Sequence, residues 1–159
     1  RETRRMRIGP GRALPLLLLC AGCFGGAPAA PPANAPPDAD IAAFSTRIQG
    51  FYSALEDVPL DALVTYQNKH LSDCFETPGA FSDYFSALAT EARHQHFRDM
   101  TARAVRVRKF DFTNPDEALV EVAFTSVHQR ALRFWSIGFD RLDTWHRIDG
   151  IWRIVPAKL

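Results

Sequence analysis

The chain has 159 residues, of which 47% are apolar and 23% charged, so it is long enough for one ordinary globular domain. Its net charge of +1 depends on the N-terminus, because residues 1–22 hold five arginines and one glutamate; without them 14 basic residues face 17 acidic ones, a net charge of −3. A slightly acidic domain lacks the basic surface that nucleic acids require, so we expect no nucleic-acid partner.

The N-terminal residues have the pattern of a secretory signal segment. Arginines, among them Arg4, Arg5, Arg7 and Arg12, precede an apolar run at residues 13–22 that contains five leucines and ends in small residues. Even when it is extended to residue 27, this apolar run is shorter than the roughly 20 residues that a membrane-spanning helix needs. We therefore predict an export signal over residues 1–22 rather than a permanent transmembrane helix.

The end of this segment, Leu19-Cys20-Ala21-Gly22-Cys23, resembles the bacterial lipobox. The resemblance implies that Cys23 is diacylated and becomes the mature N-terminus. Several acyl chains would hold the protein at a membrane, because each buried methylene contributes about 0.8 kcal/mol. The alternative is a secreted or periplasmic soluble protein cleaved near residues 27–30. We expect a location in the cell envelope, outside the cytoplasm.

The next residues, 23–39, read as a tether between the anchor and one folded domain over residues 40–159. Five prolines with many alanines and almost no charge cannot bury a core and favour an extended conformation. Once Cys20 is removed and Cys23 acylated, Cys74 is the remaining thiol. We therefore expect no internal disulfide, and we interpret Cys74 as a small buried hydrophobe.

Helical periodicity predicts three helices in the first half of the domain. The first is expected to begin with Asp38 or Asp40 as its cap, and Thr77-Pro78 marks the start of the third. The apolar residues of the first helix are Ile41, Phe44, Ile48, Phe51, Tyr52 and Leu55; those of a shorter second helix are Leu60, Leu63, Val64 and Leu71; those of the third are Phe81, Tyr84, Phe85, Leu88, Ala89, Ala92 and His96.

From residue 101 the period changes to that of strands. Val105 and Val107 alternate in one register and Phe110 and Phe112 in another, which predicts a bulge between them. Turns at residues 114–116 and 149–150 separate further strands at 119–127, 132–148 and 151–155. Helices followed by consecutive strands predict an α+β domain, with N-terminal helices packed on an antiparallel sheet.

The closing hairpin over residues 145–154, with its Asp-Gly turn and Trp-Arg-Ile return, resembles that of the nuclear-transport-factor-2-like superfamily, which includes ketosteroid isomerases, polyketide cyclases and scytalone dehydratase. Residues 51–55 also resemble the end of that fold's first helix. The resemblance implies a curved sheet that forms a cone-shaped half-barrel around a cavity closed by helices. Members of the superfamily include enzymes, binding modules and dimers, so fold alone does not decide function.

The resemblance carries one catalytic position, Tyr52, because the isomerases of that superfamily use a tyrosine and two acids. Asp111 and Asp140 are the acids embedded in strands, although plain alternation would turn both towards solvent. We predict that a hydrophobic ligand in the cavity would contact Tyr52, Phe134, Trp135 and Trp145. The same aromatic residues could instead simply cover the helices.

The histidines and the basic residues add no further site. His94 and His96 are two apart on a predicted helix and cannot share a metal; His96 falls on the apolar stripe and is interpreted as a core histidine. We expect no metal and no cofactor. A basic cluster follows the third helix and is either a solvent face or a patch for an acidic partner or lipid headgroups: Arg98, Arg103, Arg106, Arg108 and Lys109.

We therefore expect an envelope-anchored bacterial lipoprotein whose domain is a non-catalytic ligand-binding or scaffolding module. One alternative is a small-molecule isomerase or dehydratase-like enzyme, which needs an acid or histidine within hydrogen-bond reach of a tyrosine in a cavity. Another is a structural dimerisation module, which needs an apolar patch on the outer sheet. The expected partners are a membrane, a hydrophobic small molecule or an envelope protein, and a second copy of the chain.

Overall fold

The structure, a computed structural model, describes residues 37–130, 132–133 and 135–156. The expected signal segment and almost all of the tether lie outside the described residues, as do Cys23 and Phe134. Helices come first and strands follow, in the order α1 (Asp38–Ser53), α2 (Leu63–Tyr66), α3 (Lys69–Ser72), α4 (Pro78–His94), β1 (Ala104–Asn114), β2 (Glu117–Val127), β3 (Ser136–Ile148) and β4 (Ile151–Val155). The domain is α+β, as predicted.

The four strands form one antiparallel sheet in the order β1-β2-β3-β4. The predicted bulge in β1 lies between Val107 and Lys109, where the register shifts. Asp149 and Gly150 form the predicted two-residue turn between β3 and β4, with φ angles of +52° and +78°. Each strand alternates between an inner face, which packs on the helices, and an outer face.

Helix α1 packs its predicted apolar stripe onto the inner face of the sheet. Phe44, Ile48, Phe51, Tyr52 and Leu55 are all buried, and burial of each such side chain contributes about 1.5–3 kcal/mol. The stripe surrounds the indole of Trp145, which is completely buried. The ring centroids of Phe44 and Phe51 lie 5.9 and 5.7 Å from that of Trp145, both edge-on.

The prediction that Asp38 or Asp40 caps α1 was wrong. The helix begins directly after Pro37, and no side chain caps it. The carboxylate of Asp40 instead accepts a 2.8 Å hydrogen bond from Nη1 of Arg147 on β3, so this acid joins the helix to the sheet. Asp38 and Asp40 lie in the first turn, where negative charge interacts favourably with the helix dipole.

The second predicted helix is divided into the short helices α2 and α3. Leu60 and Leu71 are buried as expected, but Leu63 and Val64, in the single turn of α2, are exposed. Asn68 is the N-cap of α3, and its side chain accepts hydrogen bonds from the backbone N–H groups of His70 and Leu71.

Helix α4 begins as predicted, and the hydroxyl of Thr77 accepts a 3.1 Å hydrogen bond from the backbone N–H of Ala80. Its predicted apolar stripe is buried from Phe81 to Ala92. The interpretation of His96 as a core histidine was wrong, because α4 ends at His94 and His96 is exposed with φ +58°. No helix within the described residues is long and apolar enough to cross a bilayer.

The free edge of β4 is covered by the helical half of the domain. The backbone N–H of Ile154 donates to the carbonyl of Cys74 over 2.8 Å, and Nε of Arg47 donates to the carbonyl of Trp152 over 2.7 Å. These bonds occupy groups that an edge strand would otherwise offer to another chain. They also bring Arg47 on α1 close to the segment after α3.

Candidate functional site

An acidic side chain is buried in the interior: the carboxylate of Asp143 lies on the inner face of β3, and the residue is only 3% exposed. Its Oδ2 accepts hydrogen bonds from the hydroxyls of Tyr52 on α1 (2.7 Å) and Tyr84 on α4 (2.8 Å). Its Oδ1 accepts from Nε of Arg141 over 2.6 Å. One side chain on the sheet is thus joined to both long helices.

Two further contacts complete this group, which we call the interior network and define as Tyr52, Tyr84, Arg141, Asp143 and Trp145. The indole N–H of Trp145 donates to Oη of Tyr52 over 3.2 Å. The guanidinium of Arg141 lies 4.5 Å from the ring centroid of Tyr84, in cation–π geometry. The positive charge of Arg141 therefore offsets the buried negative charge of Asp143.

The environment keeps both tyrosines protonated. Burial, and then the negative charge of Asp143, raises the pKa of Tyr52 well above its ordinary value. The same two causes raise the pKa of Tyr84, and Arg141 partly offsets them. Burial lowers the pKa of Arg141, but the charge of Asp143, its hydrogen bond and the two neighbouring tyrosines together outweigh burial and raise that pKa. Both hydroxyls are consequently fixed hydrogen-bond donors.

The interior network contains an acid within hydrogen-bond reach of a tyrosine, which is the geometric condition for the enzyme alternative. Its reactive atoms are nevertheless enclosed, since Tyr52 and Tyr84 are at most 1% exposed. Both hydroxyls already donate to Asp143, and the carboxylate already accepts three hydrogen bonds. A substrate could bind these groups only if one of the existing hydrogen bonds were broken.

The structure brings Tyr52 and Trp145 together, but it does not bring the expected acids to them. Asp111 and Asp140 point outward from the sheet, where Asp111 lies 3.6 Å from Nζ of Lys109 and Asp140 pairs with a neighbouring arginine. Alternation along the strands explains both positions. Trp135 is exposed in the β2–β3 loop rather than in the interior.

Sequence reasoning missed Asp143, Tyr84 and Arg141 as members of a site. The available signal was the strict alternation of β3, because Arg141 and Asp143 stand four and two residues before Trp145 and so share its face. Tyr84 had already been placed on the apolar stripe of α4. Two charged residues pointing inward from one strand indicate a buried pair that needs partners.

An open cleft lies on another part of the surface, between α1, the segment after α3, the start of α4, and β4. Its volume is about 660 Å³. Aromatic and aliphatic side chains form much of its wall: Tyr66, Phe75, Phe81 and Ile151. Arg47 and Arg153 supply positive charge, and Asp73 and Glu76 also line the cleft. We call this the arginine cleft.

The two arginines of the cleft have unused hydrogen-bond donors. Nε of Arg153 is buried, and no atom of the described residues accepts its proton. Arg47 donates from Nε and Nη2 to the carbonyls of Trp152 and Asp73, and its Nη1 has no acceptor within the described part of the chain. No carboxylate of the described residues lies within 4.0 Å of either guanidinium.

An unpaired buried donor costs about 1–3 kcal/mol, and guanidinium groups pair well with carboxylates and phosphates. The unpaired charges of Arg47 and Arg153 would therefore favour an anionic group in the arginine cleft.

Cys74 lies beside the cleft as a buried thiol, as the interpretation of a small core residue requires. Burial raises the pKa of Cys74, and Arg47 partly opposes this effect. The thiol is therefore a poor nucleophile at neutral pH. Within the described ranges, no three histidine, cysteine or acidic side chains are close enough together to hold a metal ion.

No protein-family model matches the chain, and comparisons with curated proteins and with solved structures found no significant match. The function is therefore inferred from the geometry of the interior network and the arginine cleft.

Proposed function

We propose that this domain is a non-catalytic binding module, and that its ligand places an anionic group between Arg47 and Arg153 of the arginine cleft. The observation that carries this proposal is that neither guanidinium has a carboxylate within 4.0 Å in the described part of the chain. A carboxylate or phosphate in the cleft would supply a countercharge to both arginines and an acceptor for Nη1 of Arg47. The interior network, whose groups are already paired, stabilises the fold.

The wall of the cleft indicates what the rest of the ligand is. A volume of about 660 Å³ is in the usual range for small-molecule sites, and the half-buried ring of Tyr66 and the exposed side chain of Ile151 favour an apolar or aromatic body. Asp73 and Glu76 line the same cleft and would repel a ligand of high negative charge. An aromatic monocarboxylate fits these features best.

The proposed place of action is the cell envelope. The lipobox-like residues before Cys23 support a lipid anchor there, and the proline-rich residues after it support a tether. A clickable fatty acid should label the wild-type chain and not Cys23→Ser. Equal labelling of the two chains would contradict the anchor.

We also propose membership of the nuclear-transport-factor-2-like superfamily, with the sheet curved as a cone-shaped half-barrel. The support is the order of helices and strands together with the closing hairpin. An experimental structure of the chain would test this, because the proposal requires β1 and β4 to curve towards each other around the helices. A flat sheet would contradict it.

The second candidate is a proton-transfer enzyme, favoured by the 2.7 Å contact between Tyr52 and Asp143. It requires the interior to open, whereas Phe44, Phe51 and Trp145 fill that space. A dimer through the outer sheet face has less support, because the exposed Leu142 lies opposite the charged Glu121.

The binding proposal is tested by calorimetric titration with phenylacetate, and with neutral phenylacetamide as the matched ligand. We expect heat of binding with the carboxylate and none with the amide. Arg153→Gln should abolish the binding. Arg103→Gln should not, because Arg103 is an exposed arginine paired with Asp57 at 2.7 Å. Equal binding of the amide, or full binding by Arg153→Gln, would contradict the proposal.

A further inference from the structure

The loop between β2 and β3 combines exposed apolar side chains with positive charge. Leu132 is 86% exposed and Trp135 is 57% exposed, which makes Leu132 the most exposed large apolar residue of the described chain. Arg130 and Arg133 lie in the same loop, and Arg98 reaches it from the segment after α4, where its Nη2 donates to the carbonyl of His128 over 3.2 Å. We call Arg98, Arg130, Leu132, Arg133 and Trp135 together the basic loop.

The positive charge of the basic loop is not neutralised by the described residues. No carboxylate among them lies within 4.0 Å of Arg98, Arg130 or Arg133. The guanidinium of Arg133 lies 5.4 Å from the ring centroid of Trp135, which places the charge directly beside an exposed aromatic surface. Burial, followed by the charge of Arg133 and other nearby cations, lowers the pKa of His128.

Most basic residues on or just before β1 are different. Arg103 pairs with Asp57 at 2.7 Å, Arg108 with Asp140 at 2.9 Å, and Lys109 with acids on its own and the adjacent strand. Arg106 is the exception, with no carboxylate within 4.0 Å in the described part of the chain. Of the basic cluster in the sequence, Arg98 is thus the member that contributes to the basic loop. Uncompensated charge and exposed apolar surface coincide at the loop.

We propose that the basic loop docks the domain on a bilayer that contains anionic lipids. Leu132 and Trp135 enter the interfacial region, where tryptophan is favoured, and Arg98, Arg130 and Arg133 contact the anionic headgroups. An acidic protein would satisfy the arginines equally well. A bilayer is favoured because it also buries two large apolar side chains on an exposed loop. The proposal depends neither on acylation of Cys23 nor on a ligand in the arginine cleft.

Tryptophan fluorescence gives a site-specific readout, because Trp145 and Trp152 are buried and Trp135 is the exposed one of the three tryptophans. The experiment uses the full chain with Cys23→Ser, so that acylation cannot contribute. We expect vesicles with about a quarter phosphatidylglycerol in phosphatidylcholine to shift the emission to shorter wavelength. The shift should disappear in Trp135→Phe, and vesicles of phosphatidylcholine alone should give little shift.

Matched variants separate the loop from the rest of the chain, including its basic N-terminus. The double change Arg130→Gln/Arg133→Gln should lower the partition coefficient about 10- to 30-fold, since each arginine near an anionic surface contributes about 1 kcal/mol. Arg103→Gln should leave it unchanged within about twofold, because that charge is already paired.

Leu132→Ser should weaken binding more than Leu142→Ser, which alters an exposed leucine on the outer sheet face.

Three results would overturn the proposal. The first is an emission shift that persists in Trp135→Phe, and the second is equal binding to neutral and anionic vesicles. The third is a shift of the Trp135 emission by poly-glutamate but not by anionic vesicles, which would identify an acidic protein as the partner.

Discussion

The interior network and the arginine cleft both bring arginine to aromatic side chains, and they differ in whether the arginine has a partner. In the interior network, Arg141 donates to Asp143 over 2.6 Å and stacks on Tyr84. In the arginine cleft, Arg153 retains a buried Nε with no acceptor in the described chain. The first arrangement is complete without a ligand and the second is not.

Arg141 and Arg153 lie on opposite faces of two neighbouring strands, and this explains the difference. Arg141 is on the inner face of β3, where both long helices supply hydroxyl donors to Asp143. Arg153 is on the outer side of β4, where the wall of the cleft mixes aromatic side chains with polar and charged ones and supplies no carboxylate within 4.0 Å. Burial of polar groups stabilises a fold only when every group is paired, so complete pairing indicates a structural role and an unpaired donor indicates a binding role.

The largest expected effect comes from neutralising the interior acid. Asp143→Asn leaves Arg141 mostly buried without a countercharge, and we expect a loss of about 3 kcal/mol in the free energy of unfolding. Urea denaturation measures this value. Asp140→Asn, on the same strand but pointing to solvent, should cost less than about 1 kcal/mol. Equal losses in the two variants would show that the interior network is not structural.

Removal of a single donor should have a smaller effect. Tyr84→Phe deletes one hydrogen bond to a carboxylate and leaves the other two, so we expect a loss of about 1.5–3 kcal/mol. Tyr66→Phe is the matched control, because no hydrogen bond of the Tyr66 hydroxyl exists within the described residues and its loss should be close to zero. If Tyr84→Phe were as stable as Tyr66→Phe, the hydrogen bond to Asp143 would contribute nothing.

The raised pKa values of Tyr52 and Tyr84 predict a dependence of stability on alkaline pH. Above about pH 10 the unfolded chain loses its tyrosine protons while the folded chain keeps them, so the free energy of unfolding should fall as pH rises. Urea titrations between pH 8 and 11 (on the order of half-unit steps) measure the slope. Tyr84→Phe should flatten it, whereas a slope unchanged by Tyr84→Phe would contradict the burial of that hydroxyl.

The smallest effect on stability is expected in the arginine cleft. Arg153→Gln removes an unpaired buried donor, so the free energy of unfolding should change by less than about 0.5 kcal/mol or increase slightly. The same urea denaturation, without ligand, measures it. A loss of 2 kcal/mol or more (an order-of-magnitude threshold) would indicate that Arg153 has a structural partner and is not free for a ligand.

Much of the fold could be predicted from the sequence, because it depends on local patterns. The apolar spacing from Phe44 to Leu55 predicted the buried face of α1, and the change of register after Val107 predicted the bulge. The errors occurred at element ends. His96 was assigned to a helix that ends two residues earlier, and Leu63 to an apolar face that a one-turn helix does not have.

The candidate site was less predictable because its members are far apart in the chain. Tyr52 was found through a resemblance and Trp145 through its position in an aromatic strand, but Asp143 was missed since an acid in a strand usually faces solvent. The arginine cleft gave no signal at all. An arginine without a partner is recognised only when every neighbour in space is known, and Arg47 and Arg153 are separated by most of the domain.

The comparison between the two arginine environments is tested most directly by calorimetric titration of phenylacetate into two double variants. Tyr52→Phe/Tyr84→Phe alters the interior network, and Arg47→Gln/Arg153→Gln alters the cleft. We expect the first variant to bind phenylacetate as the wild-type chain does, because its cleft is intact, and the second to show no heat of binding. Loss of binding in the tyrosine variant with retention in the arginine variant would place the ligand in the interior and contradict the proposed role of the arginine cleft.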